Sequence, residues 1–398
     1  MKSKAKQALV IGSISSFAYL AVYISRNILS ALSPQLNNDG IFDEAALGTL
    51  SSIFLCAYAI GQLINGIIGD IVKSKYMISI GLLVAGITSI ILPVFYQNTF
   101  LINVIYGVWG FALAMIYAPL MKLLAENVQQ NYAIKCNLCI NFASYFGAPL
   151  AGVLAISFAW KASFNISGLI LAIMAIIVFV VFSYLEMKKV IVFRKPKKEN
   201  KKSVLSSITL LIKRNIIKFT LVSIITGVIR TTVMFWLPTY LMQHLKFSEQ
   251  NSTTIYTVFS LALSLASFAA IYVYKLMKCN INNTLLVSFF AAAIFFALCM
   301  FVNYSLANTI LLLFAIISSN CAATMLWSVY CISLDDTGLV SSATGYLDFV
   351  SYMSAAIASK LFANALDSIG WSGLILVWIG LMVAGVIVSL PYKKRCEA

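Results

Sequence analysis

Twelve long apolar runs dominate this sequence and leave few folds open to it. They cover residues 8–36, 45–69, 75–96, 99–124, 134–157, 163–187, 216–243, 252–277, 282–303, 306–333, 341–363 and 368–391, joined by mostly short loops. Roughly 20 apolar residues are enough to cross a bilayer, and backbone N–H and C=O groups cannot be left unpaired in hydrocarbon. Each run is therefore predicted to be a helix. A β-barrel would show alternating segments of about ten residues, whereas these runs are longer and apolar on all sides. Of 398 residues, 61% are hydrophobic and only 10% charged, against about 25% charged in water-soluble chains. The expected class is all-α integral membrane: twelve transmembrane helices in two pseudo-symmetric six-helix bundles.

A net charge of +15 would suggest a nucleic-acid partner in a soluble protein, but its placement argues otherwise. Lys2, Lys4 and Lys6 open the chain. Lys188, Lys189, Arg194, Lys195, Lys197, Lys198, Lys201, Lys202, Lys213 and Arg214 fill its middle, and Lys393, Lys394 and Arg395 close it. With an even number of spans these fall on one side, which the positive-inside rule makes cytoplasmic. Asp39, Asp43 and Glu44 mark the opposite face. The expectation is a multi-pass protein of the plasma (inner) membrane with both termini cytoplasmic and no nucleic-acid partner. The basic start and first run look like a signal peptide, but Arg26 within that run and eleven further spans read it as a retained first helix. The division is a first bundle over 1–187, a basic flexible cytoplasmic linker over 188–214 and a second bundle over 215–398.

Arg26 and Arg230 carry the functional signal. Arg26 lies in YISRNILSALSPQL (23–36) and Arg230 in GVIRTTVMFWLPTYL (227–241); each precedes a proline, Pro34 or Pro238, by eight residues. A charge at bilayer depth costs about 2.5–3.5 kcal/mol on the milder insertion scale, so a partner or an anionic ligand must offset it. About half the chain separates the two arginines. A six-plus-six repeat about an axis along the membrane normal would bring both to one midplane site. A guanidinium fork suits phosphate or carboxylate. One acid, Asp348, sits well inside a run: it is read as an arginine partner, a proton carrier, or an acid facing a watery vestibule. Tyr19, Tyr23, Gln62, Asn141, Trp236 and Tyr346 are the candidate cavity-wall residues. Lys122 and Lys360, near run ends, are expected to snorkel, and His244 to be a wet interfacial residue. Cys136 and Cys139 form a lone CxxC without clustered histidines, so they read as small helix residues rather than a metal or redox site. No catalytic set, cofactor motif or metal-ligand spacing is present, and no enzymatic activity is expected.

The loop with Gly66, Gly69 and Asp70 before Lys73 and Lys75 resembles the signature loop of the major facilitator superfamily, and that resemblance spans the chain. It implies that Asp70 pairs with a neighbouring helix end and, with Lys73, latches one conformation. Within the superfamily, YxxxYxxRN…P over Tyr19, Tyr23, Arg26, Asn27 and Pro34 resembles helix 1 of the organophosphate:inorganic phosphate antiporters. Arg230, Trp236, Pro238, Thr239, Tyr240 and Leu241 look like its helix 7, and Pro119 followed by Lys122 is similar to its helix 4. The family implies alternating access, phosphate gripped by the two arginines, and exchange of a phosphorylated metabolite for inorganic phosphate. Departures are Gln62 where the glycerol-phosphate branch has lysine, no histidine near Asn141 and Phe142, and Asp348 where a small residue is usual. Gln62 and FWLPTYL also resemble the anion:cation symporters, which move sugar acids with protons. The expected function is secondary transport of a small organic anion by a monomer, with phosphate or a proton as the second species. The alternatives are proton symport of a carboxylate with Asp348 as carrier, and a non-transporting membrane sensor of an organophosphate.

Overall fold

The computed structural model describes residues 2–42, 44–193 and 204–390. The linker cations Arg194 to Lys202, the closing Lys393, Lys394 and Arg395, and Asp43 lie outside the described residues, as do the side chains of Glu44 and Lys360.

The described chain is helical throughout its length: α1 Lys2–Asn38, α2 Glu44–Ile71, α3 Ser74–Ile91, α4 Thr99–Leu113, α5 Tyr117–Asn127, α6 Gln130–Ser157, α7 Trp160–Met187, α8 Val204–Lys213, α9 Ile216–Gln243, α10 Glu249–Leu276, α11 Ile281–Phe301, α12 Ser305–Thr324 and α13 Val340–Ser389. Eleven stretches among the described residues are long and apolar enough to cross a membrane. The helix over 340–363, with its polar stripe and Asp348, is not one of them.

Three boundaries depart from the sequence reading. The run 99–124 is broken at 114–116, so that Pro119 falls in the first turn of α5, where its missing N–H is tolerated. Part of the segment expected to be a flexible linker is the helix α8. The last two runs are joined through 364–367 and break instead at Gly370, whose φ of 64° and ψ of −177° suit only glycine.

The chain forms two compact units, Met1–Arg214 with Cys331–Phe349, and Asn215–Tyr330 with Val350–Ala398. The sequence reading grouped 331–349 with the second bundle; this segment packs with the first unit. In that unit α1 lies along α6 and α7, α3 along α7 and α4, and α2 along α4 and α5. Gly147 of α6 sits so close to Tyr23 of α1 that a Cβ there would collide with the Tyr23 backbone, the small-residue approach that membrane helices use. Ser89 of α3 donates to Phe164 O (2.9 Å) and meets Ser167 Oγ (3.0 Å) on α7. At the far end of the same pair, Lys73 and Lys75 each reach Glu186 at 2.6 Å.

In the second unit α12 packs against α9, α10 and α11. Asn308 ties three elements together: its Nδ2 donates to Cys299 O (2.7 Å) and Val302 O (2.9 Å), and its Oδ1 accepts from Tyr240 (2.8 Å). Beyond α12 the helix widens into a π-helical turn at Met325–Tyr330, then a 3₁₀ segment at Ile332–Thr337.

Candidate functional site

Arg26 is half-buried on α1, within a set of aromatic rings. Its guanidinium carbon lies 4.6 Å from the Tyr58 ring, 5.4 Å from Tyr23 and 5.9 Å from Phe54. Tyr23 comes from the preceding turn of α1, while Phe54 and Tyr58 lie one turn apart on α2. Phe54 in turn rests on Tyr106 and Trp109 of α4. Aromatic faces attract a guanidinium by about 0.5–2 kcal/mol, more when desolvated. They hold its plane, and its N–H edge is the part that matches an oxyanion.

A second cluster adjoins this one through Tyr23. Tyr19 is buried, edge-on to Tyr23 (5.0 Å) and stacked on Tyr117 (5.2 Å). Tyr117, in the first turn of α5, hydrogen-bonds Asn137 of α6. Asp348 is buried, 8% exposed. Asn141 follows Asn137 by one turn and is half-buried.

Gln62 lies one turn past Tyr58 on α2. Helical residues four apart share a face, so its level adjoins the Arg26 rings. It is 0% exposed, and neither atom of its amide has a hydrogen-bond partner. Here α2 meets α13 backbone to backbone: a Cβ on Gly66 would sit 2.9 Å from the Gly345 Cα. Tyr346, half-buried, is the next residue.

At the loop after α2 the departures from the sequence reading are Lys122 and Lys73. Asp70, 5% exposed, accepts from the backbone N–H of Ser341 (2.9 Å) and Ser342 (2.8 Å). These are orphan donors at the start of α13, and a carboxylate also opposes that helix dipole favourably. Lys122, expected to snorkel, is buried at 4% exposed. It donates to Gly69 O and Asp70 O, 2.9 Å each, closing the C-terminus of α2. The reason is local: two terminal carbonyls need donors, and α5 delivers an ammonium to them. Lys73 does not join this group; it pairs with Glu186, whose hydrogen bond is the main cause raising the Lys73 amine above its ordinary value.

In the second unit Arg230 is half-buried on α9. It lines a small cavity of about 10 Å³ with Thr226, Ser319 and Asn320, space for about one water. Asn320 donates towards Leu263 O (3.3 Å) and Ser267 Oγ (3.4 Å). Trp236, half-buried, meets Trp371 edge-on at 6.3 Å, just past the break at Gly370.

Ring contacts thus link Arg26, Tyr23, Tyr19 and Tyr117, with Asp348, Gln62 and Tyr346 in the same unit, while Arg230 and Trp236 lie in the other. The sequence reading missed Phe54, Tyr58 and Tyr117 as site residues. Their signal was available only as aromatics on runs rich in glycine and amides. A larger cavity of about 440 Å³ lies elsewhere in the first unit, lined by Lys4, Gln7, Glu126, Asn127, Ser333 and Asp335. Lys4 precedes Arg26 on α1 by a distance of about 33 Å at 1.5 Å per residue, so that cavity is not the arginine site. Among the described residues no three His, Cys, Asp or Glu side chains form a metal-binding group. Cys136 donates to Ala8 O at 3.3 Å, a packing contact between α6 and α1.

Comparison with known proteins gives a consistent picture. The profile of the Major Facilitator Superfamily matches residues 15–359. The chain is 20% identical to a hexuronate transporter of Bacillus subtilis, over 94% of this chain and 91% of that one. It is 22% identical to a phosphoglycerate transporter protein of Salmonella typhimurium, over 95% and 88%. In three dimensions it is similar to the superfamily transporter FucP solved in the outward conformation, with a TM-score of 0.74 and 12% identity over 96% of this chain and 98% of that one.

Proposed function

The chain belongs to the Major Facilitator Superfamily, and from that premise we propose that it carries a small organic anion across a membrane by alternating access. The best-supported cargo is a phosphorylated metabolite exchanged for inorganic phosphate. The observation that carries this reading is Arg26, a guanidinium on an apolar helix with Tyr23, Phe54 and Tyr58 around it. A guanidinium fork at that place suits an oxyanion, and Arg230 repeats the placement eight residues before a proline. The likeness to the organophosphate:inorganic phosphate antiporters, phosphoglycerate transporter included, supports the same cargo. In this reading Arg26 and Arg230 bind the anion, while Tyr19, Tyr23, Asn141, Trp236 and Tyr346 contact the rest of it. Asp70, with Lys122 behind it, stabilises one state of the cycle. The protein sits in the plasma (inner) membrane with both termini cytoplasmic. Substrate must bind the closing state more tightly than the open one, or it would not drive the change.

The test is phosphate self-exchange in proteoliposomes, comparing wild type with Arg26→Lys and Arg230→Lys. Lysine keeps the charge and loses the fork. Exchange in wild type that falls at least about tenfold in both variants, without any proton gradient, supports antiport. A second reading is proton symport of a sugar acid, favoured by the buried Asp348 and by the hexuronate transporter among its relatives. It predicts no phosphate exchange, and uronate uptake that needs a pH gradient and is lost in Asp348→Asn. Binding of phosphate or its esters without flux of any of these would point to a sensor.

A further inference from the structure

We infer that α8, Val204–Lys213, is a lipid-binding interfacial helix. It lies on the cytoplasmic leaflet with Ile208, Leu211 and Ile212 against the upper acyl chains and Lys213 among the headgroups, and its partner is anionic phospholipid. This holds for any cargo; it needs only a membrane with the basic loops on its cytoplasmic side.

α8 is too short to be a span. Its 10 residues make about 15 Å of helix, half of a hydrocarbon core of roughly 30 Å. Yet its apolar side is open: Ile208 is 50% exposed and Ile212 47%. Ile208, Leu211 and Ile212 recur at the spacing of one helix side, while Thr209 and Lys213, four apart, take another. A short helix with an apolar side and a basic end suits the boundary between headgroups and acyl chains.

Its level in the membrane follows from the chain. Arg214 and Asn215 alone separate α8 from α9, and the apolar span of α9 begins at Ile216. Asn215 has φ 62° and ψ 31°, a left-handed residue of the kind that stops a helix. α8 therefore ends within a few residues of the point where a span enters hydrocarbon. Arg214 also pairs with Asp336 of the 3₁₀ segment Ile332–Thr337, so the end of α8 is held in place by the first unit.

Charge selects the lipid. Residues 188–214 carry ten basic side chains against one acid, Glu199, and Lys213 on α8 itself is exposed. Basic segments beside a span are drawn to the anionic headgroups of the cytoplasmic leaflet.

The experiment is hydrogen–deuterium exchange on the full-length protein in nanodiscs, one set made of phosphatidylcholine alone and one of phosphatidylcholine mixed with phosphatidylglycerol. The variants are Lys213→Glu and the double change Ile208→Ser with Ile212→Ser. In wild type the amides of 208–213 should exchange about fivefold or more slowly in the anionic discs, the weight of one basic side chain near a charged surface. Added salt should shrink the difference, and Lys213→Glu, a change at an exposed position, should abolish it. The double isoleucine variant should exchange fast in both lipids. Equal exchange of wild type in the two lipids, or a difference that survives Lys213→Glu, would overturn the anionic-lipid assignment. Amides of α8 that stay slow in the double variant would show that the helix packs on protein, and would overturn the interfacial placement as well.

Discussion

Lys122 stands directly behind Asp70. Its ammonium donates a 2.9 Å bond to the Asp70 carbonyl oxygen, while the carboxylate of the same aspartate accepts from Ser341 and Ser342. One residue therefore ends α2 and begins α13. Its backbone is satisfied by a cation and its side chain by two orphan amides.

This arrangement predicts unequal costs. Lys122→Met keeps the length of the stem and removes the donor, leaving the Gly69 and Asp70 carbonyls without it; a loss of about 1–3 kcal/mol is expected. Asp70→Ala strips both amides of α13 and should cost about 0.5–2 kcal/mol, the usual range for a lost helix cap. Asp70→Asn keeps one acceptor and should cost less. Thermal unfolding in detergent, followed by a thiol-reactive dye that reports exposure of the buried Cys136, Cys299, Cys321 and Cys331, would rank the three. An order with Asp70→Asn worst would contradict the cap.

Tyr58 meets the Arg26 guanidinium with its ring, 4.6 Å away. Tyr58→Phe should leave phosphate affinity within about twofold, whereas Tyr58→Leu should weaken it by roughly 2–30-fold, the span of a lost cation–π contact. Calorimetric titration with inorganic phosphate measures both. A loss in Tyr58→Phe as large as in Tyr58→Leu would shift the role to the hydroxyl.

Glu186 raises the Lys73 amine above its ordinary value, chiefly through a direct hydrogen bond. A raised lysine value means the folded state holds its proton more tightly. That contribution is present below about 10.5 and is lost as pH climbs through the raised value. Glu186→Gln should return Lys73 towards the unperturbed range, visible as amine acylation beginning at lower pH by mass spectrometry. The pair is partly exposed, so its effect on unfolding should be small and should fade with added salt.

His244, at the end of α9 and stacked on Tyr240 at 5.1 Å, has its value lowered by partial desolvation against that ring and secondarily by Lys246. The folded state disfavours the protonated ring. Stability is therefore intact above about 6.5, the ordinary histidine value, and declines as pH falls below it until the lowered value is passed. His244→Gln should flatten that decline in a pH series of unfolding temperatures. It should leave the pH profile of transport unchanged, since the ring has no part in the proposed cargo site.

The membrane helices were legible because hydrocarbon forces the issue: long apolar runs have one way to satisfy their backbones. Arg26 and Arg230 stood out for the same reason, as charges where charges are costly. What escaped the sequence were relationships between helices. Tyr58 looked like one more aromatic on α2 until α1 brought a guanidinium to it. Lys122 looked like a lysine near a run end, for which snorkelling is the ordinary fate; that two carbonyls awaited it depends on where α2 stops relative to α5. Pro119 was visible, but Pro149 and Pro238 lie within unbroken helices, so a proline alone did not mark the break at 114–116.

The bonds from Asp70 to Ser341 and Ser342 span 271 and 272 residues of chain. A ribosome delivers the chain from its N-terminus, so the aspartate is made long before its partners exist. For most of synthesis, α2 has its backbone donor from Lys122 within reach while its carboxylate still waits. The first unit is therefore incomplete until its second segment, Cys331–Phe349, has been made. A nascent chain stalled before residue 340 would carry, at that helix end, an acid held by water or by whatever escorts the protein into the bilayer.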